Sequence, residues 1–301
     1  MFSPTFQKGK SMKGLIVMNG YPRGEKFYRQ SERVKEELER LGIAVELVKN
    51  GEFPISLTEN AEVVGDLQEY SFCVYFDKDK YLSQMLENAG VRLFNSARAI
   101  ELCDDKMQTF LDLKNSGLKI PRTISAPLCY TPNAVPKTEF LNRVKELGYP
   151  LVAKKSYGSF GMGVKLIEND TELFAAEQEW LHEPHFYQEF IGEKGRDIRV
   201  IVIGGKAVAA MERIAQEGEF RSNVELGGKT RKIELPKEYQ EAAELAAKTL
   251  GLDYCGVDLL KGKTPVVCEV NSNAFFEGIE GVTGVNVARL YAEYIVRVMT
   301  K

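Results

Sequence analysis

A glycine-rich turn between two β-rich runs constrains the fold of this chain more than any other feature. The runs are residues 151–155 and 164–167, and residues 158–163 between them read Gly-Ser-Phe-Gly-Met-Gly. Glycine lets the backbone approach a ligand closely, and successive N–H groups can cradle a phosphate. A strand follows the turn and Gly-Lys-Ser/Thr is absent, so the turn is neither a P-loop nor a dinucleotide-binding fingerprint. It is either a flexible surface hairpin or a lid over a phosphate-bearing ligand.

The order of strands and helices indicates three successive units in a chain of 301 residues. A strand at residues 14–18, an amphipathic helix and a second strand at 45–48 form a βαβ pattern, which predicts a parallel sheet. Later strands form hairpins, with Gly204-Gly205 as a tight turn. The predicted organisation is a flexible tail over residues 1–12, an N-terminal α/β domain over 13–97, and two further units over 98–188 and 189–301.

Composition excludes several classes of function. The 40 basic and 43 acidic residues leave a formal net charge of −3, which argues against nucleic-acid and membrane-surface binding. No run approaches the roughly 18 apolar residues that span a bilayer. The five cysteines are scattered without a C-x-x-C pair, which is typical of reduced thiols and predicts a cytoplasmic location. Only His182 and His185 are present, with Pro184 between them and no third ligand nearby, so a zinc hydrolase and a histidine-based triad are disfavoured.

Three oxygen-bearing side chains interrupt two neighbouring apolar runs near the C-terminus. Alternation along a strand places Glu269 and Asn271 on one face. Pairing of Lys261 with Val266 in a hairpin would set Asp258 opposite Glu269. Facing carboxylates repel each other unless a cation or a proton intervenes, and oxygen ligands suit Mg²⁺. The pattern therefore predicts a divalent-metal site, and the alternative is a solvent-exposed sheet face that tolerates the acidic pair.

Basic side chains near these features are candidate ligands for anionic oxygens. Lys154 and Lys155 end the strand before the glycine-rich turn, and alternation sends them to opposite faces. Lys106 follows two aspartates at the start of a polar helix predicted over residues 104–116. Arginine forks suit phosphate and carboxylate, and the later cluster consists of Arg196, Arg199, Arg213 and Arg221, with Asn223 beside it. The alternative for each side chain is an ordinary solvated charge.

Eight short motifs in a fixed order carry a resemblance to a known family, and they cover about residues 98–300. They are Asp104-Asp105-Lys106, Lys154 with Gly158–Gly163, Gln188-Glu189-Phe190-Ile191, Asp197-Ile198-Arg199, Met211-Glu212-Arg213, Glu219-Phe220-Arg221-Ser222-Asn223, Gly256-Val257-Asp258, and Glu269-Val270-Asn271. Together they resemble the ATP-grasp superfamily, and closely the RimK-type α-L-glutamate ligases.

The resemblance implies an ATP-grasp fold of α/β and α+β character. An N-terminal α/β pre-ATP-grasp domain would precede two α+β subdomains that enclose ATP, the central one with the lid and the C-terminal one with the metal site. The implied nucleotide-binding residues are Lys106, Lys154, Gly158, Ser159, Gly161, Gly163, Gln188, Glu189, Phe190, Ile191, Asp197 and Arg199. The implied catalytic residues are Arg213, Arg221 and Asn223. The implied ligands of one or two Mg²⁺ or Mn²⁺ ions are Asp258, Glu269 and Asn271.

The resemblance also implies ATP-dependent ligation of a carboxylate to an amine. A substrate carboxylate attacks the γ-phosphate of ATP to give an acyl phosphate and ADP, and an amine then displaces phosphate to form an amide. The implied substrates are small-molecule or peptide carboxylates and amines, with glutamate foremost, and the implied assembly is a homodimer or homotetramer. The alternatives are a ligase of the glutathione-synthetase, D-Ala–D-Ala or natural-product type, an ATP-grasp kinase, and a non-catalytic ATP-sensing module.

Overall fold

The chain forms two compact units in a computed structural model that describes residues 12–22, 24–159, 161–222 and 227–301. One unit holds the described residues up to Arg98 together with Asn286–Lys301, and the other holds Ala99–Val285. Apart from Met12, the predicted flexible tail of residues 1–12 lies outside the described residues.

A parallel four-stranded sheet organises the first unit. Its elements are β1 (Lys13–Met18), α1 (Glu25–Arg40), β2 (Ala44–Lys49), β3 (Ile55–Leu57), β4 (Val63–Gly65), β5 (Phe72–Phe76), α2 (Lys80–Asn88) and β6 (Arg92–Phe94). The strand order is β2-β1-β5-β6, while β3 and β4 form a separate hairpin. Every residue of β5 is buried, as expected for a strand inside a parallel sheet. The βαβ pattern predicted from the sequence is confirmed.

An antiparallel four-stranded sheet organises the first half of the second unit. The elements are α3 (Ala97–Asp104), which belongs to this unit from Ala99 onward, α4 (Lys106–Asp112), β7 (Thr123–Ser125), α5 (Thr138–Lys145), β8 (Leu151–Lys155), β9 (Val164–Ile167), α6 (Asp170–Trp180) and β10 (His185–Glu189). The strand order is β7-β10-β8-β9, so β8 and β9 flank the glycine-rich turn. Leu173 and Trp180 of α6 pack with Leu151 and Tyr187 of the sheet in one apolar core.

A five-stranded antiparallel sheet organises the second half of this unit. The elements are β11 (Arg196–Ile203), β12 (Lys206–Ile214), β13 (Lys229–Lys232), α7 (Lys237–Thr249), β14 (Tyr254–Lys261), β15 (Pro265–Asn271) and α8 (Glu277–Thr283). The strand order is β13-β12-β11-β14-β15. Ala243 and Ala246 of α7 pack against Val200 and Val257 on one face, which leaves the other face for polar side chains.

The hairpin of β14 and β15 contains a bulge that changes the predicted register. Lys261 pairs with Pro265 rather than with Val266, so the predicted starting pair is wrong by one residue. A register shift between Asp258 and Leu259 then inserts one extra residue in β15. As a result Asp258 still pairs with Glu269, which is the cross-strand pair that the sequence predicted.

The last helix, α9 (Val287–Met299), belongs to the first unit and not to the predicted unit over residues 189–301. Its Tyr291 hydroxyl donates to the Phe94 carbonyl at 3.2 Å, and the rings of Phe94 and Tyr294 meet edge to face. The Asn286 amide donates to Glu37 Oε1 at 3.0 Å. The apolar periodicity of the sequence predicts this helix, but it does not identify the surface that buries the apolar face.

Candidate functional site

A cavity in the second unit is lined by both of its sheets and by the glycine-rich turn. Its volume is about 130 Å³ and it opens to solvent. Gly163, Arg199 and Asn271 lie outside its lining. Asn223 lies outside the described residues. The predicted residues that do line the cavity are Lys106, Lys154, Gly158, Ser159, Gly161, Gln188, Glu189, Phe190, Ile191, Asp197, Arg213, Arg221, Asp258 and Glu269.

Lys154 is a buried cation on the cavity wall, with only 9% of its surface exposed. Its ammonium donates to the sulfur of Cys268 at 3.6 Å, and no described carboxylate forms an ion pair with it. The next residue, Lys155, projects from the other side of β8 and pairs with Glu183 at 2.8 Å, as the alternation predicted. A buried ammonium with only a thiol partner is poorly compensated, and an anionic ligand would relieve it.

Two further cations hold the glycine-rich turn by its carbonyl oxygens. Lys106 Nζ donates to the Gly158 carbonyl at 2.7 Å, and Arg221 Nη1 donates to the Gly161 carbonyl at 3.0 Å. Gly158 and Gly161 have φ values of 141° and 71°, a region that favours glycine. The turn therefore meets Lys106 and Arg221 at the cavity, where a ligand phosphate would compete with the two carbonyls.

Glu219 fixes the side chain of Arg221. Glu219 Oε2 accepts from Arg221 Nη2 at 2.7 Å, and Oε1 accepts from Arg221 Nε at 3.0 Å and from the Arg221 backbone N–H at 2.9 Å. The hydrogen bonds from Arg221 outweigh partial burial and lower the pKa of Glu219 to about 2. The same contact raises the pKa of Arg221 above its ordinary value. Arg221 is therefore charged and aimed by its neighbour two residues earlier.

Four charged side chains form a buried network on the cavity face of the five-stranded sheet. Arg199 Nε and Nη2 donate to the two oxygens of Asp258, each at 2.6 Å. Arg213 Nε donates to Asp197 Oδ1 at 2.7 Å, and its Nη2 donates to Asp197 at 2.5 Å and to Asp258 at 2.7 Å. Ser222 Oγ also donates to Asp197. These bonds commit Arg213, a predicted catalytic residue, to two aspartates and favour a supporting role for it.

This network keeps Asp258 and Arg213 ionised. Burial by itself raises the pKa of Asp258, but the charges and hydrogen bonds of Arg199 and Arg213 outweigh it and hold the pKa below its ordinary value. Burial likewise lowers the pKa of Arg213, and the two aspartates raise it above its ordinary range. The cavity face therefore carries two carboxylates and two guanidinium groups with balanced charge.

The predicted metal ligands occupy adjacent strands, but their carboxylates are already compensated. Arginines neutralise Asp258, and Lys106 Nζ lies 3.5 Å from Glu269 Oε1. Arginine and lysine side chains therefore supply the cations that the facing carboxylates of Asp258 and Glu269 need, and the metal site stays a prediction. Among the described residues, no group of three or more His, Cys, Asp or Glu side chains could hold a metal ion. The predicted trio is not a group of that kind, because Asn271 contributes an amide oxygen. Carboxylate and amide oxygens both fit a hard divalent cation.

Three residues at the site were missed by the sequence analysis. Cys268 lies at the bulge of β15 beside Lys154, and no sequence signal marks a bulge there. Thr123 hydrogen-bonds Gln188 across two strands that are distant in sequence. Glu219 had a usable signal, since an acid two residues before Arg221 lies on the same side of an extended chain.

Comparison with known proteins decides the family. The model of the RimK-like ATP-grasp domain matches residues 103–295. A probable alpha-L-glutamate ligase of Vibrio vulnificus (strain YJ016) is 39% identical over 216 residues, which are 70% of this chain and 69% of that protein. The chain belongs to the RimK-like ATP-grasp family. Another member, a probable alpha-L-glutamate ligase of Coxiella burnetii (strain Dugway 5J108-111), is 38% identical over 216 residues, again 70% of this chain and 69% of that protein.

Solved structures of ATP-grasp ligases share the fold. The ligase PsnB complexed with a minimal precursor has a TM-score of 0.71 at 22% identity, over 96% of this chain and 99% of that one. The D-alanine–D-alanine ligase of Bacillus anthracis complexed with ATP has a TM-score of 0.72 at 19% identity, over 96% and 99%. The predicted ATP-grasp fold is thus confirmed, and family membership confirms the predicted class, an ATP-dependent carboxylate–amine ligase. No helix among the described residues is long and apolar enough to cross a membrane.

Proposed function

We propose that this RimK-like protein binds ATP in the cavity of the second unit and uses it to join glutamate to an amine. The observation that carries the proposal is the buried, poorly compensated ammonium of Lys154 on the cavity wall. Charge of this kind is stabilised by phosphate oxygens, because an anionic acceptor supplies both a hydrogen bond and an opposite charge. Curated relatives at 38–39% identity are named probable alpha-L-glutamate ligases, which supports glutamate as the carboxylate or the amine.

The cavity divides chemically into two parts that suit the two ends of ATP. Lys106 and Lys154 lie beside the glycine-rich turn and would hold the phosphates, with backbone N–H groups of the turn as further donors. Phe190 and Ile191 line an apolar part that would take the base. Asp197 and Arg199 would act through the buried network behind the nucleotide, and Asn223 would join Arg221 beside the reacting groups.

Asp258, Glu269 and Asn271 would hold one or two Mg²⁺ or Mn²⁺ ions. The donor types fit this role, since both carboxylates border the cavity and the pKa of Asp258 lies below its ordinary value. A bound divalent ion would supply charge neutralisation for the triphosphate and the leaving phosphate. The adjacent cation Arg213 would keep the carboxylate of Asp258 ionised before an ion arrives.

The proposed reaction proceeds in two displacements. A carboxylate oxygen of one substrate attacks the γ-phosphorus, the bond to the β–γ bridging oxygen breaks, and ADP leaves. The amine nitrogen of the second substrate attacks the acyl carbon, phosphate departs with the C–O bond electrons, and a carboxylate, the phosphate or water takes the proton that the nitrogen loses. Arg221, held by Glu219, would stabilise charge on the transferring phosphoryl group. Small molecules and peptides are both proposed as the amine partner.

The assembly and the cellular location are part of the same proposal. We propose a homodimer or homotetramer, as the resemblance implies, and a cytoplasmic location. All five cysteines are free thiols in the described structure, which agrees with a reducing compartment. Size-exclusion chromatography with light scattering tests the assembly directly.

A coupled assay tests the proposed reaction. The chain is incubated with ATP, Mg²⁺, glutamate and a panel of amino acids and peptides, while released phosphate is measured and products are identified by mass spectrometry. Hydroxylamine is supplied separately in place of the amine, because it converts an acyl phosphate to a hydroxamate. The proposal expects ADP, phosphate and a product larger by one glutamyl group. ATP binding with no turnover across the panel would instead identify an ATP-sensing module.

Neighbouring lysines on β8 supply a matched pair of variants for the binding step. Lys154→Ala removes the cavity cation, whereas Lys155→Ala removes a cation that pairs with Glu183 on the other side of the strand. A charged hydrogen bond contributes about 1.5–3 kcal/mol, so Lys154→Ala is expected to weaken ATP binding by about 10- to 100-fold. Lys155→Ala is expected to leave the affinity within about threefold. Calorimetric titration with ATP and Mg²⁺ measures both, and equal effects would contradict phosphate binding by Lys154.

A further inference from the structure

The backbone on either side of Arg221 is anchored to the beginning of β11. The Gly195 N–H donates to the Phe220 carbonyl at 3.1 Å. On the other side, Ser222 Oγ donates to Asp197 Oδ2 at 2.5 Å. The chain is therefore attached to the five-stranded sheet directly before and directly after the residue that carries the guanidinium, once through the backbone and once through a hydroxyl group.

The hydroxyl bond ends on a carboxylate that is itself firmly held. Asp197 is buried, and the guanidinium of Arg213 donates to both of its oxygens, at 2.7 and 2.5 Å. Arg213 in turn donates to Asp258 at 2.7 Å. A hydroxyl group that donates to a carboxylate forms one of the stronger hydrogen bonds in proteins. Ser222 therefore ties the backbone beside Arg221 to buried side chains of β11, β12 and β14.

Glu219 does not provide this attachment, although it holds the guanidinium of Arg221. It accepts from Arg221 Nε and Nη2, and also from the backbone N–H groups of Phe220 and Arg221. All of these bonds lie within one short stretch of chain, so they orient Arg221 relative to its own backbone. The position of that backbone over the cavity depends on bonds that leave the stretch. The Arg221 side chain is 30% exposed, so close packing does not replace such bonds.

We propose that Ser222 is a positioning residue for phosphoryl transfer, because its hydroxyl holds the backbone of Arg221 at a fixed place on the buried charge network. The inference rests on the proposed function, in which Arg221 stabilises charge on the transferring phosphoryl group. Ser222 acts through Arg221 and forms no bond to the reacting groups. A displacement of about 1 Å at a reacting centre can lower a rate by about 100-fold, so one anchoring bond is able to affect turnover.

Removal of the Ser222 hydroxyl tests the anchor. Ser222→Ala should lower turnover by about tenfold, the size of one hydrogen bond, while ATP affinity stays within about twofold because Lys106 and Lys154 are unchanged. Ser222→Thr keeps the hydroxyl and should restore most of the turnover. Phosphate release and calorimetric titration with ATP and Mg²⁺ measure the two quantities. Unchanged turnover in Ser222→Ala would overturn the inference, and so would equal losses of turnover and affinity.

A double variant separates positioning of Arg221 from a merely structural role. If Ser222 acts only through Arg221, the double variant of Ser222→Ala and Arg221→Ala turns over as slowly as Arg221→Ala alone, because the anchor no longer has a guanidinium to position. A structural role would instead produce the tenfold loss in both backgrounds. A further loss in the double variant therefore refutes positioning, whatever the single variant shows.

The outcomes also distinguish this inference from the proposed function. If the unaltered chain releases no phosphate from ATP with any substrate, the proposed function fails and the role of Ser222 fails with it. If Arg221→Ala lowers turnover and Ser222→Ala does not, only the role of Ser222 fails. Should Ser222→Ala not fold, Ser222→Cys makes the same comparison, because a thiol has nearly the same shape and is a weaker donor.

Discussion

The two walls of the cavity differ in whether their buried charges are compensated. The five-stranded wall carries a closed network in which Arg199 and Arg213 satisfy Asp197 and Asp258. The four-stranded wall carries Lys154, which has only a thiol as a hydrogen-bond partner among the described residues. The first arrangement is complete without a ligand, and the second is not. A buried cation without an opposite charge therefore indicates the wall that binds a ligand. A buried network of balanced charges indicates the wall that supports the site.

The largest expected effect is a loss of stability when a member of the buried charge network is removed. Arg213→Met removes the guanidinium that bonds two buried carboxylates, and unpaired buried charge reduces the free energy of unfolding by about 3–5 kcal/mol. The matched control is Arg231→Met on the same sheet, where a smaller loss is expected because Arg231 is 58% exposed and its buried partner Glu212 keeps Lys261 and Arg196 as cationic partners. Urea denaturation monitored by circular dichroism compares the two. Similar losses for both variants would show that the network is not the support proposed here.

The next effect is on turnover, through Arg221, which borders the glycine-rich turn. Arg221→Ala should lower turnover by about 100-fold, because the guanidinium stabilises charge that develops on the transferring phosphate. ATP affinity should change by less than about fivefold, since other cations remain to bind the ground state. Steady-state kinetics and calorimetric titration measure the two quantities. Equal losses in turnover and affinity would assign Arg221 to ordinary phosphate binding.

A smaller effect is expected when the partner of Arg221 is changed. Glu219→Gln keeps one acceptor oxygen but removes the charge that aims the guanidinium, so turnover should fall by about tenfold with little change in KM. Glu217→Gln is the matched control, because Glu217 lies two residues away and is exposed. A change confined to KM, or an equal loss of turnover in both variants, would show that Glu219 does not position Arg221.

The smallest effect is a pH dependence of stability through Glu219. Its pKa is about 2 in the folded chain against an ordinary value of 4.5, mainly because Arg221 donates hydrogen bonds to it. Because folding lowers this pKa, the ionised carboxylate stabilises the folded chain at pH values above 4.5. This contribution disappears as pH falls from about 4.5 toward 2. The difference in unfolding free energy between the unaltered chain and Glu219→Gln should therefore be constant from pH 7 to 5 and shrink below 4.5. A difference that shrinks near neutral pH would contradict this origin.

Local patterns were sufficient for much of the secondary structure. The βαβ start, the tight turn at Gly204-Gly205 and the strands on either side of the glycine-rich turn follow from alternation and turn chemistry, which act within a few residues. Residues 104–116 show the limit of such patterns. They predict one helix, yet the side chain of Asp105 accepts from Met107 and Gln108 N–H groups and starts a new helix there.

At the site, residue types were predictable and their partners were not. The cations, the carboxylates and the glycines were all identified from spacing or from the family resemblance, and most of them line one cavity. Arg213 was predicted to be catalytic, but its bonds to Asp197 and Asp258 depend on strands β11, β12 and β14 lying side by side. No spacing along the chain encodes that contact.

The sequence by itself determined which faces are apolar, where the chain turns, and which side chains carry charge, because these depend on residues close together in the chain. The tertiary structure decided the bulge that keeps Asp258 opposite Glu269, the poor compensation of Lys154, and the hydrogen bond between Gln188 and Thr123. Each of these joins strands far apart in sequence. Their contacts follow from packing and register across whole sheets, which local propensities do not specify.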